Sequence, residues 1–551
     1  MGESSPFETH RVDNQPPPFE PRDLWASDRA LRAAVMREGG GWGAAVLAGY
    51  GAIMGEEGLA LGVEANRDRP RLRTHDRFGH RIDRVDFHPA YHRLMQLGVE
   101  HGVSGGAWRE TRAGSHVVRA ALTFLHHQAE AGSNCPLTMT HAAIPVLRRE
   151  PELREWADKA VAPHYDGRDV PIASKAGVTL GMGMTEKQGG SDVRSNSTRA
   201  RPLAAEGEYA LVGHKWFMSA PMSDGFLVLA QAPGGLTCFL LPRWRPDGSR
   251  NALRLMRLKD KLGNWSNASA EVEFCDAWAR RIGEEGRGVA TIIEMVALTR
   301  LDCMIGAAAE MRMALAQALH HAAHRQAFGR RLVEHALMIN VLADLALESE
   351  AATAFALRVA RAVDASARDP GEAAFARLAT AVGKYWLCKR AVPFVNEAQE
   401  CLGGAGYVEE SMLARLYREA PLNSIWEGCG NIQCLDVLRA LGREPATREA
   451  LFAELGAARG LDEALDEEID ALALALDSRD GIETRARFLV ERMALALQAA
   501  LLLRAASREP ELAVAAESFC RSRLDGGHGL AFGTLPPDTD FPTLIARAMP
   551  E

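Results

Sequence analysis

Hydrophobic positions follow two different periods along this chain, and the change of period divides it into regions. Up to about Ala160, apolar residues recur at helical spacing, as in HRLMQLGVEHGV and HVVRAALTFLHHQAE. From Val178 to Ile282, short runs rich in β-branched and aromatic residues are separated by Gly, Pro, Asn and Asp, which is typical of antiparallel strands. The pattern predicts a helical N-terminal domain at 1–177, with an extended Pro-rich lead (NQPPPFEP), and an antiparallel β-barrel or sandwich at 178–282.

Helical periods return after Gly288. LTRLDCMIGAAAEMRMALAQALHHAAHRQAF and MINVLADLALESEAATAFALRVARAV each exceed 25 residues without an internal Pro, and helices of that length usually pack as a bundle. We therefore predict a helical bundle domain at 283–441 and a further C-terminal helical domain at 442–551. Since 551 residues are too many for one hydrophobic core, the expected fold class is mixed α and β, with several domains.

Composition excludes several classes of protein. The hydrophobic share of 47% and the charged share of 25% are those of an ordinary globular protein rather than a disordered chain. The nine cysteines include no CxxC pair and no spacing typical of zinc ligands, so we expect free thiols, a reducing cytoplasmic setting and no metal site. We expect no secretory signal and no membrane partner, because the longest apolar runs, such as MALALQAALLL, are too short to span a bilayer.

The net charge of −8 is concentrated in one region. From Leu441 to the end there are twelve Arg, no Lys and twenty Asp plus Glu, so this last part alone carries a net charge of −8 and the rest of the chain sums to zero. A negative surface opposes the counterion release that drives binding to DNA. Arg residues 485, 487, 492, 504, 508, 521 and 523 could still gather on one face, but pairing with the abundant carboxylates at an interface is the simpler interpretation.

Two patches in the β region carry residue types suited to a ligand. GMGMTEKQGGSDV at 181–193 has glycines that let the backbone approach a planar or phosphorylated group, but a Gly-rich surface loop would look the same. GHKWFMSA at 213–220 places two aromatics before a hydroxyl inside a strand, and taken alone this favours a half-buried strand with an aromatic core face over a ligand site.

A third patch, LNSIWEGCGNIQCLDVLR at 422–439, contains a single acid, Glu427, between Trp426 and Gly428. A carboxylate flanked by an aromatic and small residues is partly desolvated, which raises its pKa towards that of a useful base. Alternatively, Glu427 caps the helix that is expected to start near Ile432, because an acid suits a helix N-terminus. The two interpretations are compatible.

Together the motifs resemble the acyl-CoA dehydrogenase family over roughly residues 40–440. They occur in the family's order and spacing, as MTEKQGGSD at 184–192, KWFMSA at 215–220, RQAFG at 325–329, ECLGGAGY at 400–407 and WEGCGNIQ at 426–433. The long extension after Leu441 and the segment KDKLGNWSNAS at 259–269 are similar to the AidB branch of that family, adaptive-response flavoproteins linked to alkylation damage.

The resemblance implies an FAD-dependent acyl-CoA dehydrogenase. Glu427 would remove the α-proton of an acyl-CoA while a hydride leaves the β-carbon for flavin N5. Some members place the base where this chain has Thr299, which favours Glu427, and the neighbouring Arg300 is best interpreted as an interhelical salt-bridge residue. The residues expected to bind FAD are Met184, Thr185, Gly190, Ser191, Phe217, Met218, Ser219, Arg325, Phe328, Gly403, Gly404, Ile425, Trp426, Gly428, Gly430 and Asn431.

The resemblance also implies partners and leaves alternatives open. Arg325 and Phe328 match a pair that reaches the cofactor of a neighbouring subunit, so we expect a homo-oligomer, most simply a tetramer. Three positions depart from the pattern that is usual in the family: Phe217 replaces Trp, Glu400 replaces Gln and Ala336 replaces Gln. These departures weaken the expectation of catalysis more than that of FAD binding. The alternatives are a DNA-binding protective flavoprotein with residual dehydrogenase activity and a flavin-bound interaction protein. Double-stranded DNA is a doubtful partner because the C-terminal domain is acidic.

Overall fold

The computed structural model describes residue 7 and residues 9–19, 23–478 and 480–550, so the last two residues of the predicted lead lie outside the described residues. The N-terminal region is mostly helical, as the pattern predicts. Its helices are α1 (Arg29–Arg37), α2 (Ala44–Ile53), α3 (Leu59–Arg67), α4 (Pro89–Glu100), α5 (Gly106–Arg109), α6 (Ser115–Ala129), α7 (Asn134–Arg148) and α8 (Arg154–Val161).

A two-stranded antiparallel hairpin interrupts these helices and was not expected. It consists of β1 (Arg71–His75) and β2 (Arg81–Asp86). The strands read RLRTH and RIDRVD, so their charged positions hide the alternation that usually marks a strand. The hairpin is stabilised by packing against the β domain, where Val85 joins the barrel core.

The central region forms one seven-stranded sheet, in the order β3-β6-β4-β5-β9-β7 with β8 on β9. An additional pairing of β6 with β7 closes the sheet into a barrel, which leaves fewer unpaired edges. Most pairings are antiparallel, but β3 pairs with β6 in parallel. The strands are β3 (Leu180–Gly183), β4 (Arg199–Pro202), β5 (Glu208–Ser219), β6 (Gly225–Ala232), β7 (Gly235–Pro242), β8 (Leu253–Leu258) and β9 (Ser269–Ile282).

The remaining chain is helical apart from a minimal hairpin of β10 (Gln326–Ala327) and β11 (Arg330–Arg331). The longest helix, α9, ends at His324, so the predicted helical run stops before the RQAFG motif. The helices are α9 (Gly288–His324), α10 (Ala336–Ala365), α11 (Pro370–Leu402), α12 (Met412–Asn423), α13 (Gly430–Arg443), α14 (Pro445–Gly456), α15 (Glu463–Asp477), α16 (Ala486–Ala506), α17 (Ala513–Arg523) and α18 (Phe541–Ala548).

The helical regions share a continuous hydrophobic core. Buried residues of α6, α9, α10, α11 and α16 belong to one cluster, so the C-terminal helices pack directly on the bundle. A second cluster joins α7 and α8 to the barrel, and a third fills the barrel itself. The mixed α and β fold class is thus confirmed. Among the described helices, none combines the length and the apolar character needed to cross a membrane.

Candidate active site

Glu427 lies on the turn between α12 and α13, where the backbone is left-handed. Glu427 has φ +56° and Gly428 has φ +91°. A Cβ atom at position 428 would lie 2.8 Å from Nε2 of Gln433, so this position needs glycine for both conformation and space. A residue with a side chain at positive φ is uncommon and persists only where surrounding contacts hold it.

Three buried donors hold this turn by its carbonyl oxygens. Lys384 Nζ donates to the carbonyls on either side of Glu427, at 2.7 and 2.6 Å. Arg300 Nε and Gln433 Nε2 both donate to the carbonyl of Glu427 itself, each at 3.0 Å. Three consecutive carbonyls are therefore satisfied by side chains from three different helices, which fixes the direction of the Glu427 side chain.

Arg300 also has the interhelical role that its sequence position suggests. Its Nη1 lies 2.7 Å from Oδ2 of Asp436 on α13, and Nη2 of Arg377 lies 2.9 Å from the other carboxylate oxygen. The salt-bridge interpretation of Arg300 is thus confirmed. The same guanidinium holds the carbonyl of Glu427, so the ion pair also orients the turn.

The Glu427 carboxylate accepts a hydrogen bond from Thr299, with 2.7 Å between Oγ1 and Oε2. Burial raises the pKa of Glu427, and the Thr299 hydrogen bond and the charges of Arg300 and Lys384 lower it again without cancelling the rise. Helix α13 has Cys429 at its N-cap and no side-chain cap, so the helix-capping interpretation of Glu427 is wrong.

The MTEKQGGSD loop is anchored by a residue that the sequence did not single out. Glu186 is fully buried and pairs with the buried Lys215 at 2.8 Å. Burial alone would raise the pKa of Glu186, but Lys215 and hydrogen bonds from Thr198 and Ser197 hold it well below its ordinary value. The loop is therefore not a free surface loop, since an ion pair ties it to β5.

The outer part of this loop presents small and hydroxyl-bearing residues. A Cβ atom at Gly190 would lie 2.5 Å from Oγ1 of Thr185, whereas one at Gly189 would meet nothing within 4 Å. The carbonyl of Thr185 accepts from the backbone N–H of Trp216 at 2.8 Å, so the loop lies beside strand β5. Within the described residues, the hydroxyls of Thr185 and Ser191 have no hydrogen-bond partner.

Strand β5 continues from that contact to three predicted FAD residues. The ring of Phe217 is 47% exposed, so it does not face a core, whereas Met218 is buried. The hydroxyl of Ser219 lies 3.1 Å from that of Ser269. The interpretation of KWFMSA as a strand with an aromatic core face is therefore wrong for Phe217.

These motifs come together with the Glu427 turn. Met184 and Trp426 pack against the same hydrophobic cluster, to which Cys135 of α7 belongs. Burial raises the pKa of Cys135 to about 12, and its other influences come from Lys261, Glu427, Ser219 and Asn267. Met184 and Ser219, from the two β-region motifs, thus lie in the same part of the structure as Trp426 and Glu427.

The other predicted residues lie far from this group in the same chain. Arg325 follows Thr299 by 26 residues along α9, a separation of roughly 39 Å. Gly403 and Gly404 lie just beyond the end of α11, about 28 Å along the helix from Lys384. One chain therefore cannot bring both groups to the same end of a small ligand.

Arg325 and Phe328 have different environments at that far end. The guanidinium of Arg325 donates to the carbonyl of Asn14, in the N-terminal lead of the same chain. Phe328 has φ +50° and its ring is 97% exposed. Near the turn, Asn431 accepts a hydrogen bond of 2.8 Å from Arg487 of α16, so a C-terminal helix also reaches the site.

Sequence reasoning missed Lys384, Cys135 and Lys261 as parts of this site. Lys384 had a recognisable signal, since it is a single charge in the otherwise apolar helical run AVGKYWLC. Cys135 and Lys261 are more than 150 residues distant from Glu427 in the sequence and had no local signal.

Comparison with known proteins shows the family of this chain. Residues 14–167 match the family described as "Adaptive response protein AidB N-terminal domain". Residues 181–277 and 286–442 match the middle and C-terminal domains of acyl-CoA dehydrogenase. Over 528 residues the chain is 48% identical to the "Putative acyl-CoA dehydrogenase AidB" of Escherichia coli, which covers 95% of this chain and 96% of that protein. The chain belongs to the acyl-CoA dehydrogenase family.

Two solved structures of this family extend the comparison. Caenorhabditis elegans ACDH-11 in complex with C11-CoA has a TM-score of 0.85 and 28% identity, covering 97% of this chain and 95% of that one. A Bacillus anthracis acyl-CoA dehydrogenase complexed with FAD has a TM-score of 0.67 over 84% of this chain and 82% of that one, and its 18% identity shows the shared fold alone. Family membership makes this chain an acyl-CoA dehydrogenase-type oxidoreductase, a class whose cofactor is FAD.

Proposed function

We propose that this protein dehydrogenates an acyl-CoA with FAD as cofactor and with Glu427 as the base that removes the α-proton. The observation that supports this most is the Glu427 turn. Burial raises the pKa of its carboxylate, and its three carbonyls are held by Arg300, Lys384 and Gln433. A carboxylate with a raised pKa and a fixed direction suits proton abstraction near neutral pH.

The residues beside the turn fit a flavin nucleotide. Gly189 leaves open space where a Cβ atom would stand, so a planar or phosphorylated group can approach the backbone there, and Gly403 and Gly404 leave similar space beyond the far end of α11. Phe217 and Ile425, which is 62% exposed, offer apolar surface, and Thr185 and Ser191 offer hydroxyls. When bound, FAD supplies the acceptor for the hydride that leaves the β-carbon of the substrate.

Glu427 and the side chains that contact its turn have separate parts in the proposed reaction. Glu427 takes the α-proton on its carboxylate. Thr299 donates to that carboxylate and keeps it oriented, while Arg300 and Lys384 favour its ionised form. Trp426 is partly buried against the cluster that includes Cys135, so it limits the access of water to the carboxylate from that side.

The proposed substrate class rests on the relatives. ACDH-11 is described in complex with C11-CoA, and it shares the fold of this chain over nearly its whole length. We therefore propose an acyl-CoA thioester as substrate.

Replacing Glu427 by Gln tests the proposal, because it keeps the shape of the side chain and removes the proton acceptor. We expect turnover of an acyl-CoA panel with an artificial electron acceptor to fall about 10²- to 10⁴-fold, while bound FAD measured by absorbance stays stoichiometric. Glu467→Gln is the matched control, since Glu467 is exposed on α15 and distant in sequence from the turn. Unchanged turnover in Glu427→Gln would assign the base to another residue.

DNA binding is the second candidate, and the C-terminal arginines bear on it. Four of the seven are engaged by carboxylates, in the pairs Arg492 with Glu468, Arg504 with Glu454, Arg521 with Asp538 and Arg523 with Asp344. Paired guanidinium groups contribute little to counterion release, so these contacts favour dehydrogenation over DNA binding as the main function.

A gel-shift series against salt tests this ranking. We expect any binding of double-stranded DNA to be weak, independent of sequence and abolished as salt rises to physiological concentration. Tight binding that persists there would overturn the ranking and make DNA binding the main candidate function.

A further inference from the structure

The segment KDKLGNWSNAS at 259–269 is clamped from several sides, although the proposed reaction gives it no role. The indole of Trp265 lies between two guanidinium groups, with the Cζ atoms of Arg69 and Arg418 at 3.5 and 4.0 Å from its ring centroid. Its Nε1 donates to the carbonyl of Lys261 at 2.8 Å. Cation–π contacts on both faces fix the ring, and the ring in turn fixes the backbone at Lys261.

Two buried acids hold the other half of this segment. The backbone N–H of Asn264, at φ +56°, donates to both carboxylate oxygens of Glu419 on α12, at 2.7 and 2.8 Å. Ser266 donates to Glu130 at 2.7 Å, and Glu130 follows the end of α6. The segment is thus attached to two helical regions as well as to the barrel, which is more restraint than a connection between strands requires.

The restrained segment carries Lys261 towards the active site. Lys261 Nζ donates to the carbonyl of Asn267 and lies 3.2 Å from the hydroxyl of Ser269. Ser269 lies 3.1 Å from Ser219, the last residue of β5. A chain of polar contacts therefore runs from the ammonium group to a hydroxyl that we assign to FAD binding.

No salt bridge neutralises Lys261 within the described residues. The groups that face it come from four elements: Cys135 on α7, Glu130 after α6, Glu419 on α12 and Arg69 before β1. Burial lowers the pKa of Lys261 to about 8, with smaller influences from these groups. At neutral pH the side chain is therefore mainly a cation. It lies next to Cys135, whose pKa is also influenced by the charge of Glu427.

We infer that Lys261 is a positioning residue of the reaction: through Ser269 and Ser219 it places a positive charge beside the cofactor site and makes hydride acceptance there more favourable. This inference rests on the proposed function. In that reaction the α-proton goes to Glu427, and the β-carbon gives up a hydride, which carries two electrons and one proton to the flavin. The cofactor would gain one negative charge. The Lys261 ammonium group would stabilise that charge, because a buried cation is screened little by solvent.

The reduction potential of bound FAD tests this role. Replacing Lys261 by Met removes the charge and keeps most of the side-chain volume. We expect the equilibrium between oxidised and reduced cofactor to shift roughly tenfold towards the oxidised form at pH 7, which is about 30 mV for a two-electron couple. Lys261→Arg should retain the potential of the parent protein. Lys159→Met is the control, since Lys159 pairs with Glu155 on α8.

The pH dependence provides an independent measurement that also uses Lys261→Arg. Below pH 8 the parent protein and Lys261→Arg should have equal potentials. Above pH 8 Lys261 loses its proton and arginine does not, so the potential of the parent should fall below that of the variant. Cys135 stays protonated in this range and Glu419, with a pKa of about 7, titrates in both proteins alike.

The two proposals fail in different ways. A parent protein that takes up no FAD would overturn the proposed function. The role of Lys261 alone would be overturned if two results were obtained together. All variants would bind stoichiometric FAD at the same reduction potential, and the potentials of the parent and Lys261→Arg would not diverge above pH 8. If Lys261→Met does not fold, the comparison of the parent protein with Lys261→Arg above pH 8 still tests the role of Lys261.

Discussion

At the scale of single residues, the Glu427 carboxylate is governed by opposing influences on its pKa. Burial favours the protonated form, and the Thr299 hydroxyl, Arg300 and Lys384 favour the ionised one. Thr299 is the only one of the three that touches the carboxylate oxygen itself, at 2.7 Å. In this chain the position where the resemblance places the base of some family members thus supplies a hydroxyl that contacts the proposed base.

Replacing Thr299 by Val should therefore move the pH profile in a defined direction. Without the hydroxyl the ionised carboxylate loses a hydrogen bond, so the pKa of Glu427 rises further. Since the base works only when deprotonated, the acid limb of kcat/KM should move to higher pH, by about one unit for a charge-assisted hydrogen bond of ~1.5 kcal/mol. Thr299→Ser, which keeps the hydroxyl, should leave the limb in place. A profile that is identical in Thr299→Val would contradict the assignment.

At the scale of elements, the turn is built by helices that meet rather than by its own sequence. Arg300 comes from the first half of α9, Lys384 from the middle of α11 and Gln433 from the first turn of α13. Together these buried side chains donate to three consecutive carbonyls, and those of Glu427 and Gly428 each accept from two of them. The left-handed conformation at Glu427 thus depends on how these three helices pack.

Lys384→Met should damage both the stability and the activity. The carbonyl of Trp426 would lose its donor and that of Gly428 would keep only Gln433, which costs about 1–3 kcal/mol of the free energy of unfolding measured with urea. Turnover should also fall, since the turn loosens and the pKa of Glu427 rises further without the Lys384 charge. Lys389→Met on the same helix is the control, because Lys389 is exposed. Equal stability of the two variants would show that the turn holds without Lys384.

At the scale of the whole molecule, the two ends of the bundle differ in what they expose. One end holds the Glu427 turn. Beyond the C-terminal end of α9 the chain presents Phe328, 97% exposed, and Leu337, 84% exposed. Large apolar side chains with such exposure mark a contact surface, and the distance of roughly 39 Å along α9 prevents Arg325 from reaching the site of its own chain. We therefore propose that a second subunit covers this surface and that Arg325 serves the site of that subunit.

Phe328→Asp should therefore disrupt the homo-oligomer, which we propose to be a tetramer. An acid placed in an apolar contact loses its hydration without gaining a partner, so light scattering should show smaller species with less bound FAD. Phe78→Asp is matched to it, because Phe78 is 69% exposed in the β1–β2 hairpin and should leave the assembly unchanged. An intact oligomer in Phe328→Asp would place the interface elsewhere.

The sequence by itself determined the order of helical, β and helical regions, because burial imposes a period on each element that the chain displays directly. It also indicated Glu427, since a single acid between an aromatic and a glycine is locally unusual. Only the tertiary structure decided what surrounds that acid. Thr299 and Lys384 reach the turn from 128 and 43 residues away, and Lys261 reaches Ser219 through Ser269. The hairpin β1–β2 was missed for the same reason: packing of distant surfaces stabilises these features, and no local pattern encodes it.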